Sequence, residues 1–108
     1  MKIAIQTNDK ETVGENFGRA LYYAVYDTES GETVYLSNEE NAGAAHGVGI
    51  QAAALMSREG VETVLSYHVG PKAADILKQN GISVFPLPSD QKPLTIRQAV
   101  DLFLSSRN

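Results

Sequence analysis

The pattern of apolar and polar positions predicts five short strands. Apolar runs at Lys2–Thr7 and residues 21–27 indicate strands, and the second run is apolar on both alternating faces, as expected for a central strand. Residues 33–38 alternate between polar and apolar positions after a Ser-Gly turn, which is typical of an edge strand in a hairpin. Residues 61–67 and 82–85 provide two further apolar runs. The pattern therefore predicts a β-sheet with both central and edge strands.

Three helices are predicted between and after these strands. An Ala-rich helix spans about residues 48–59 and ends at Gly60, because glycine commonly terminates helices. Pro71 is suited to the first turn of a second helix, which ends before Gly81. A third helix follows the capping box Thr95-Ile-Arg-Gln98, and its apolar residues recur with helical spacing.

The order of these elements predicts an α/β domain that spans residues 1–108. Three strands in succession, followed by alternating helices and strands, indicate a mixed sheet with helices on both faces. A right-handed crossover through the first helix would place the fourth strand beside the first. The expected strand order is therefore 3-2-1-4-5, with strand 2 antiparallel to the others.

This order predicts one binding site, at the edge of the sheet where the connections reverse direction. Asn8 and Asp9 follow the first strand, His46 precedes the first helix, and His68 and Gly70 follow the fourth strand. We therefore expect these residues to lie together. The long loop of residues 10–19 belongs to the same edge and is a candidate flap.

Composition and charge exclude several classes of function. The 108 residues include no Cys, so the chain alone offers no disulfide, no Cys-based zinc site and no thiolate-held iron–sulfur cluster. The formal net charge of −4, without a Lys/Arg cluster, argues against nucleic acid as a partner. The sequence has no apolar run of membrane-spanning length and no signal-peptide pattern, so we expect a cytoplasmic protein with no membrane association.

The segment Gly43-Ala-Ala-His-Gly-Val-Gly49 is the most distinctive local feature, and it has two interpretations. Glycines before a helix let backbone N–H groups approach an anion, which the helix dipole also favours. Alternatively, Gly47 and Gly49 only allow the helix to pack closely on the sheet. The segment matches no established phosphate-binding motif, so the sequence leaves both interpretations open.

The two histidines are the candidate metal ligands, because imidazole binds transition metals at neutral pH. His46 and His68 fall short of a three-ligand protein site, so an open site completed by the ligand itself is expected. Arg19 could pair with an anionic ligand or form a salt bridge within its loop. Asp9 and Asp27 could form a two-metal nuclease site, but the predicted topology puts them at opposite edges. No nucleophile constellation is present, so we expect no enzyme activity.

Several motifs together resemble the dinitrogenase iron-molybdenum cofactor-binding family, the NifX-like domains that also form the C-terminal part of NifB-type proteins. The resemblance covers nearly the whole chain. It is carried by Asn16-Phe-Gly-Arg-Ala20 before a Tyr-rich strand, His46-Gly-Val-Gly49 before an Ala-rich helix, and Gly70-Pro-Lys-Ala73. The Phe-Gly-Arg-Ala and Gly-Pro-x-Ala elements in this order are the most specific part of the match.

The resemblance implies a ribonuclease-H-like three-layer fold and a non-catalytic role. The role it implies is to bind or carry an iron–sulfur-derived cluster, such as the iron–molybdenum cofactor or a precursor, as cargo rather than as a permanent cofactor. Cluster donor and acceptor proteins would be the partners. By position, the resemblance implies that His46 and His68 are ligands, and that the pocket is shaped by Phe17, Gly18, Arg19, Gly47, Gly49, Gly70 and Pro71.

Two other functions stay open at this point. One is a module that binds a small anion or nucleotide phosphate through the glycine-rich segments, and the less favoured one is a metal-dependent nuclease. The oligomeric state is also open, because the edge strand at residues 33–38 could pair between chains while the neighbouring Glu32 and Glu39 oppose close approach.

Overall fold

The computed structural model describes residues 1–107 and contains one five-stranded sheet with the order β3-β2-β1-β4-β5. The elements, in chain order, are β1 (Lys2–Thr7), β2 (Tyr22–Asp27), β3 (Thr33–Ser37), α1 (Glu39–Ala42), α2 (Val48–Arg58), β4 (Thr63–Ser66), α3 (Pro71–Gln79), β5 (Ser83–Pro86), a 3₁₀ turn (Ser89–Gln91) and α4 (Ile96–Ser106).

The strand directions confirm the predicted mixed sheet. β2 runs antiparallel to both β1 and β3, whereas β4 runs parallel to β1 and to β5. The strand order 3-2-1-4-5 and the antiparallel second strand are therefore as the element order predicted. The carboxyl ends of β1 and β4 meet at one edge of the sheet, where the connections reverse direction.

Helices cover the two faces of the sheet unequally. Ala4 and Val64 face a core that includes Ala53 and Met56 of α2 and Leu77 of α3. On the opposite face, a second core joins Ile3, Ile5 and Leu65 to Ala99, Val100 and Phe103 of α4. The alternation of side chains along each strand separates the two cores, so the domain has three layers.

The structure adds the short helix α1, which the sequence analysis treated as part of a polar loop. Glu39 and Glu40 occupy its first turn, where acidic side chains stabilise a helix through their interaction with the helix dipole. The helix has four residues and no buried side chain, so it gives no apolar periodicity that could reveal it from sequence.

The loop of residues 10–19 is held against the body of the domain and is not the expected flap. The Val13 N–H donates to the Leu94 carbonyl at 2.9 Å, and the Ile96 N–H donates to the Glu11 carbonyl at 2.9 Å. Val13 and Phe17 are buried. Because these contacts fix the loop at several points, it forms a wall of the site described below. Across residues 1–107, no helix combines the length and apolarity needed to cross a bilayer.

Candidate functional site

A pocket of about 660 Å³ lies at the edge of the sheet where the connections reverse. Its three sides are the end of the 10–19 loop, the N-terminus of α2 and the N-terminus of α3. The lining consists of residues 15–19, 45–50, 68 and 70–73. Residues distant in sequence therefore meet here because β1 and β4 are neighbours in the sheet.

Most of the residues predicted for the site do meet in this pocket. His46 and His68, from two separate segments, both line it and are both exposed. Arg19, Gly47, Gly49 and Gly70 line it as well, together with Phe17, Gly18 and Pro71. Lys72 also lines the pocket and was not singled out from sequence, although it lies inside the Gly70-Pro-Lys-Ala73 motif.

Asn8 and Asp9 do not line the pocket, which corrects their assignment to the binding site. The Asn8 Oδ1 accepts the Leu21 N–H at 3.0 Å, so Asn8 holds the start of β2. The Asp9 carboxylate accepts the N–H groups of Thr12, at 2.7 Å, and Glu11, at 2.9 Å. These bonds lower the pKa of Asp9 from 3.8 to about 2, because they favour the charged form. Both side chains shape the loop.

Asp27 lies at the opposite end of β1 from the pocket, because it pairs with Lys2 in the β1–β2 register. Asp9, in contrast, follows the end of β1 at Thr7. The two carboxylates are therefore separated by the length of the strand. The structure gives no support for a paired-carboxylate nuclease site.

Two helix N-termini point their free backbone donors toward the same pocket. Gly47 precedes α2 in the left-handed conformation, with φ of 76°, and Gly70 precedes α3 in an extended conformation. Among residues 1–107, no side chain caps either helix, whereas Thr95 and Gln98 form a capping box on α4. The first-turn N–H groups at the pocket are thus left for solvent or an anion.

The glycines that line the site differ in whether close packing requires the absence of a Cβ atom. A Cβ atom on Gly18 would lie 2.8 Å from the Gly49 nitrogen, and a Cβ on Gly49 would lie 3.2 Å from the Ala73 Cβ. These two glycines permit close packing. Gly70 differs, because within the described chain nothing beyond its neighbours lies within 4 Å of its Cβ position, and its φ is −61°. Neither packing nor backbone conformation requires glycine at position 70. The missing side chain of Gly70 therefore only leaves space in the pocket.

Arg19 holds the loop that carries His46. Its Nη1 donates to the carbonyls of Ala42, at 3.2 Å, and Ala44, at 3.1 Å. The Arg19 N–H in turn donates to Asn16 Oδ1 at 2.9 Å. The sequence left open a salt bridge between Arg19 and a residue of its own loop. In the structure the guanidinium instead bonds to backbone carbonyls and orients the adjoining loop beside the pocket.

Two buried polar side chains outside the pocket support its wall, and the sequence analysis did not identify them. The Asn38 Nδ2 donates to the carbonyls of Gly18, at 3.0 Å, and Ala20, at 2.8 Å. The Tyr23 hydroxyl donates to the Phe17 carbonyl. Burial raises the pKa of Tyr23, so its phenol stays protonated and remains a donor. The only signal for Asn38 in the sequence is its position at the end of a strand.

His46 and His68 are the imidazole side chains of the pocket lining that could bind a metal. The described residues hold no cluster of three or more His, Cys, Asp or Glu that could bind a metal ion. Two imidazoles leave coordination positions that a metal would have to fill from its own inorganic ligands, from solvent or from another protein. Arg19 and Lys72 add positive charge to a lining whose single carboxylate is Glu15. The site therefore suits an anionic, metal-containing ligand.

Comparisons with known proteins agree with this chemistry. Residues 1–106 match the profile of the dinitrogenase iron-molybdenum cofactor family. An uncharacterized protein of Methanocaldococcus jannaschii is 31% identical over 109 residues, which cover 99% of this chain and 88% of that protein.

Two solved structures are similar over almost the whole chain. The apo form of the orange protein from Desulfovibrio gigas is 34% identical with a TM-score of 0.88, covering 98% of this chain and 88% of its own. The NMR structure of a proposed NifB protein from Thermotoga is 30% identical with a TM-score of 0.81, and the coverage is 98% and 89%.

Proposed function

The chain belongs to the dinitrogenase iron-molybdenum cofactor family, and we propose that it binds an anionic, iron–sulfur-derived metal cluster in the pocket between α2 and α3. The iron–molybdenum cofactor or a precursor is the expected cargo. The protein would carry this cargo from a donor protein to an acceptor protein during cofactor assembly, without catalysing a reaction on it. We also assign the three-layer fold to the ribonuclease-H-like class, on the basis of its strand order and directions.

One observation carries the proposal: two exposed histidines from separate segments line a pocket that also holds two uncapped helix N-termini. The histidines supply metal ligands, and the helix ends with Arg19 and Lys72 supply electrostatic attraction for an anion. Few protein ligands are also appropriate for a carrier, because a cluster held at two positions can be transferred when an acceptor offers further ligands.

The test is an anaerobic titration of the purified protein with isolated iron–molybdenum cofactor, followed by visible absorbance and by co-elution of iron and molybdenum on a sizing column. We expect stoichiometric co-elution with the natural sequence and its loss in the double variant His46→Ala, His68→Ala. Both histidines are exposed, so we expect the double variant to lose less than about 1 kcal/mol of stability.

A matched control is the double variant Gln51→Ala, Asp75→Ala. These exposed residues lie on the same two helices, outside the pocket lining. The control should bind the cluster like the natural sequence. Equal binding by the histidine variant and the control would show that the ligand assignment is wrong.

The uncapped helix ends also support a second candidate function, a module that binds a small anion or a nucleotide phosphate. Inorganic phosphate or ATP would then raise the melting temperature in the absence of metal. The two functions separate cleanly, because phosphate binding at the helix ends should survive in the double histidine variant, whereas cluster binding should not.

A further inference from the structure

Ser66 forms hydrogen bonds to both sides of the His68 backbone. Its hydroxyl donates to the His68 carbonyl at 2.9 Å and accepts the His68 N–H at 3.2 Å. Ser66 is the last residue of β4 and is only 1% exposed, while His68 is exposed at the pocket. The serine therefore fixes the short segment that leaves the sheet and presents the imidazole.

Gln6 connects this serine to the opposite wall of the pocket. The Gln6 Nε2 donates to Ser66 Oγ at 2.9 Å and to the Gly14 carbonyl at 3.1 Å. The Gly14 N–H returns a bond to the Gln6 carbonyl at 2.8 Å. Gly14 belongs to the loop that ends in Phe17, Gly18 and Arg19. One side chain thus joins β1, the loop wall and the segment that carries His68.

Core packing alone would not favour glutamine at position 6. The Gln6 side chain is fully buried, and within residues 1–107 its Oε1 has no hydrogen-bond partner. A buried acceptor without a partner lowers stability, and an apolar side chain of similar size would not carry that penalty. What the amide contributes is the pair of bonds from its nitrogen. Both bonds end at segments that form the pocket.

We propose that Gln6 and Ser66 are positioning residues that fix His68 relative to the loop wall of the pocket. This inference rests on the proposed function, because it gives His68 the role of a cluster ligand. Groups that orient a metal-binding histidine commonly change metal affinity by about 10- to 100-fold when they are removed. Neither residue needs to touch the cluster to have this effect.

The test compares Ser66→Ala and Gln6→Met with the matched control Thr63→Val. Thr63 is also buried on β4, and its hydroxyl bonds to Ser83 Oγ at 3.0 Å, at the end of the strand away from the pocket. Each of the three variants loses at least one side-chain hydrogen bond, so the melting temperature of each variant measures its structural loss. The affinity for isolated iron–molybdenum cofactor measures positioning.

We expect at least tenfold weaker cofactor binding in Ser66→Ala and in Gln6→Met, and unchanged binding in Thr63→Val. The proposal would be overturned if Ser66→Ala and Gln6→Met bound the cofactor as tightly as the natural sequence does. It would also be overturned if all three variants lost the same amount of cofactor affinity.

A second measurement keeps this inference separate from the proposed function. In the cluster-free protein, NMR should show that Ser66→Ala and Gln6→Met shift the amide and imidazole resonances of His68, while those of His46 stay unchanged. If the natural sequence binds no cofactor, the proposed function fails and this spectrum alone decides the positioning role. Unmoved His68 resonances would refute it.

Discussion

Replacing Gly18 with alanine tests how the pocket wall is packed. A Cβ at this position would lie 2.8 Å from the Gly49 nitrogen, 3.0 Å from the Gly49 Cα and 3.0 Å from the Val48 carbonyl carbon. All three atoms belong to the backbone at the first turn of α2, which cannot move aside as a flexible side chain can. The loop and the helix would therefore have to separate.

The expected cost of Gly18→Ala follows from this overlap. Overpacking by a single methyl group in a rigid environment typically lowers the free energy of unfolding by about 1–3 kcal/mol. For a domain of this size, each kcal/mol lowers the melting temperature by about 4–8 °C. We therefore expect a decrease of roughly 5–20 °C, together with weaker cluster binding, because Arg19 and the N-terminus of α2 would both be displaced.

Thermal and urea unfolding of Gly18→Ala measure this effect, and Gly43→Ala is the control. Gly43 lies in the nearby loop with φ of −91°, and within the described chain nothing beyond its neighbours lies within 4 Å of its Cβ position. The control should change the free energy of unfolding by less than about 0.5 kcal/mol. If both variants were equally stable, the close contact between Gly18 and Gly49 would not be a packing constraint.

Two further predictions address the opposite core and the acid behaviour of the loop. Phe103 is buried and packs edge-on against Phe85, so Phe103→Ala should lower the free energy of unfolding by about 3–5 kcal/mol in urea unfolding, without loss of cofactor stoichiometry in the folded protein. An unchanged midpoint would show that α4 is not packed as described. The lowered pKa of Asp9 means that its contribution to stability is complete above about pH 4 and decreases as the pH falls toward 2. Asp9→Asn should therefore lose part of the acid dependence of the melting temperature in this interval, and an identical pH profile would contradict the hydrogen bonding seen in the loop.

The sheet order was predictable from sequence because it depends on features that act over short distances. Alternation of apolar residues identified the strands, Gly60 and Gly81 marked the ends of helices, and the capping box of Thr95 identified α4. The handedness of the crossover then left one arrangement. α1 was missed because its four residues, none of them buried, form no apolar face.

The candidate site was predictable in its location but less so in the roles of its residues. Strand order alone brought His46 and His68 to one edge. It also placed Asn8 there, yet the Asn8 side chain accepts a hydrogen bond from the Leu21 N–H and does not line the pocket. The support that Asn38 gives to the wall depends on contacts between residues distant in sequence. No local pattern encodes such contacts.

The attachment of the loop wall to the segment before α4 has a consequence for the order in which the site forms during synthesis. Glu11 and Val13 are bonded to Ile96 and Leu94, so a segment before β2 receives its partners from a segment that follows β5 and is translated later. A nascent chain can pair β1 with β2 long before these bonds exist. The loop wall of the pocket is therefore fixed only after the segment that follows β5 has left the ribosome.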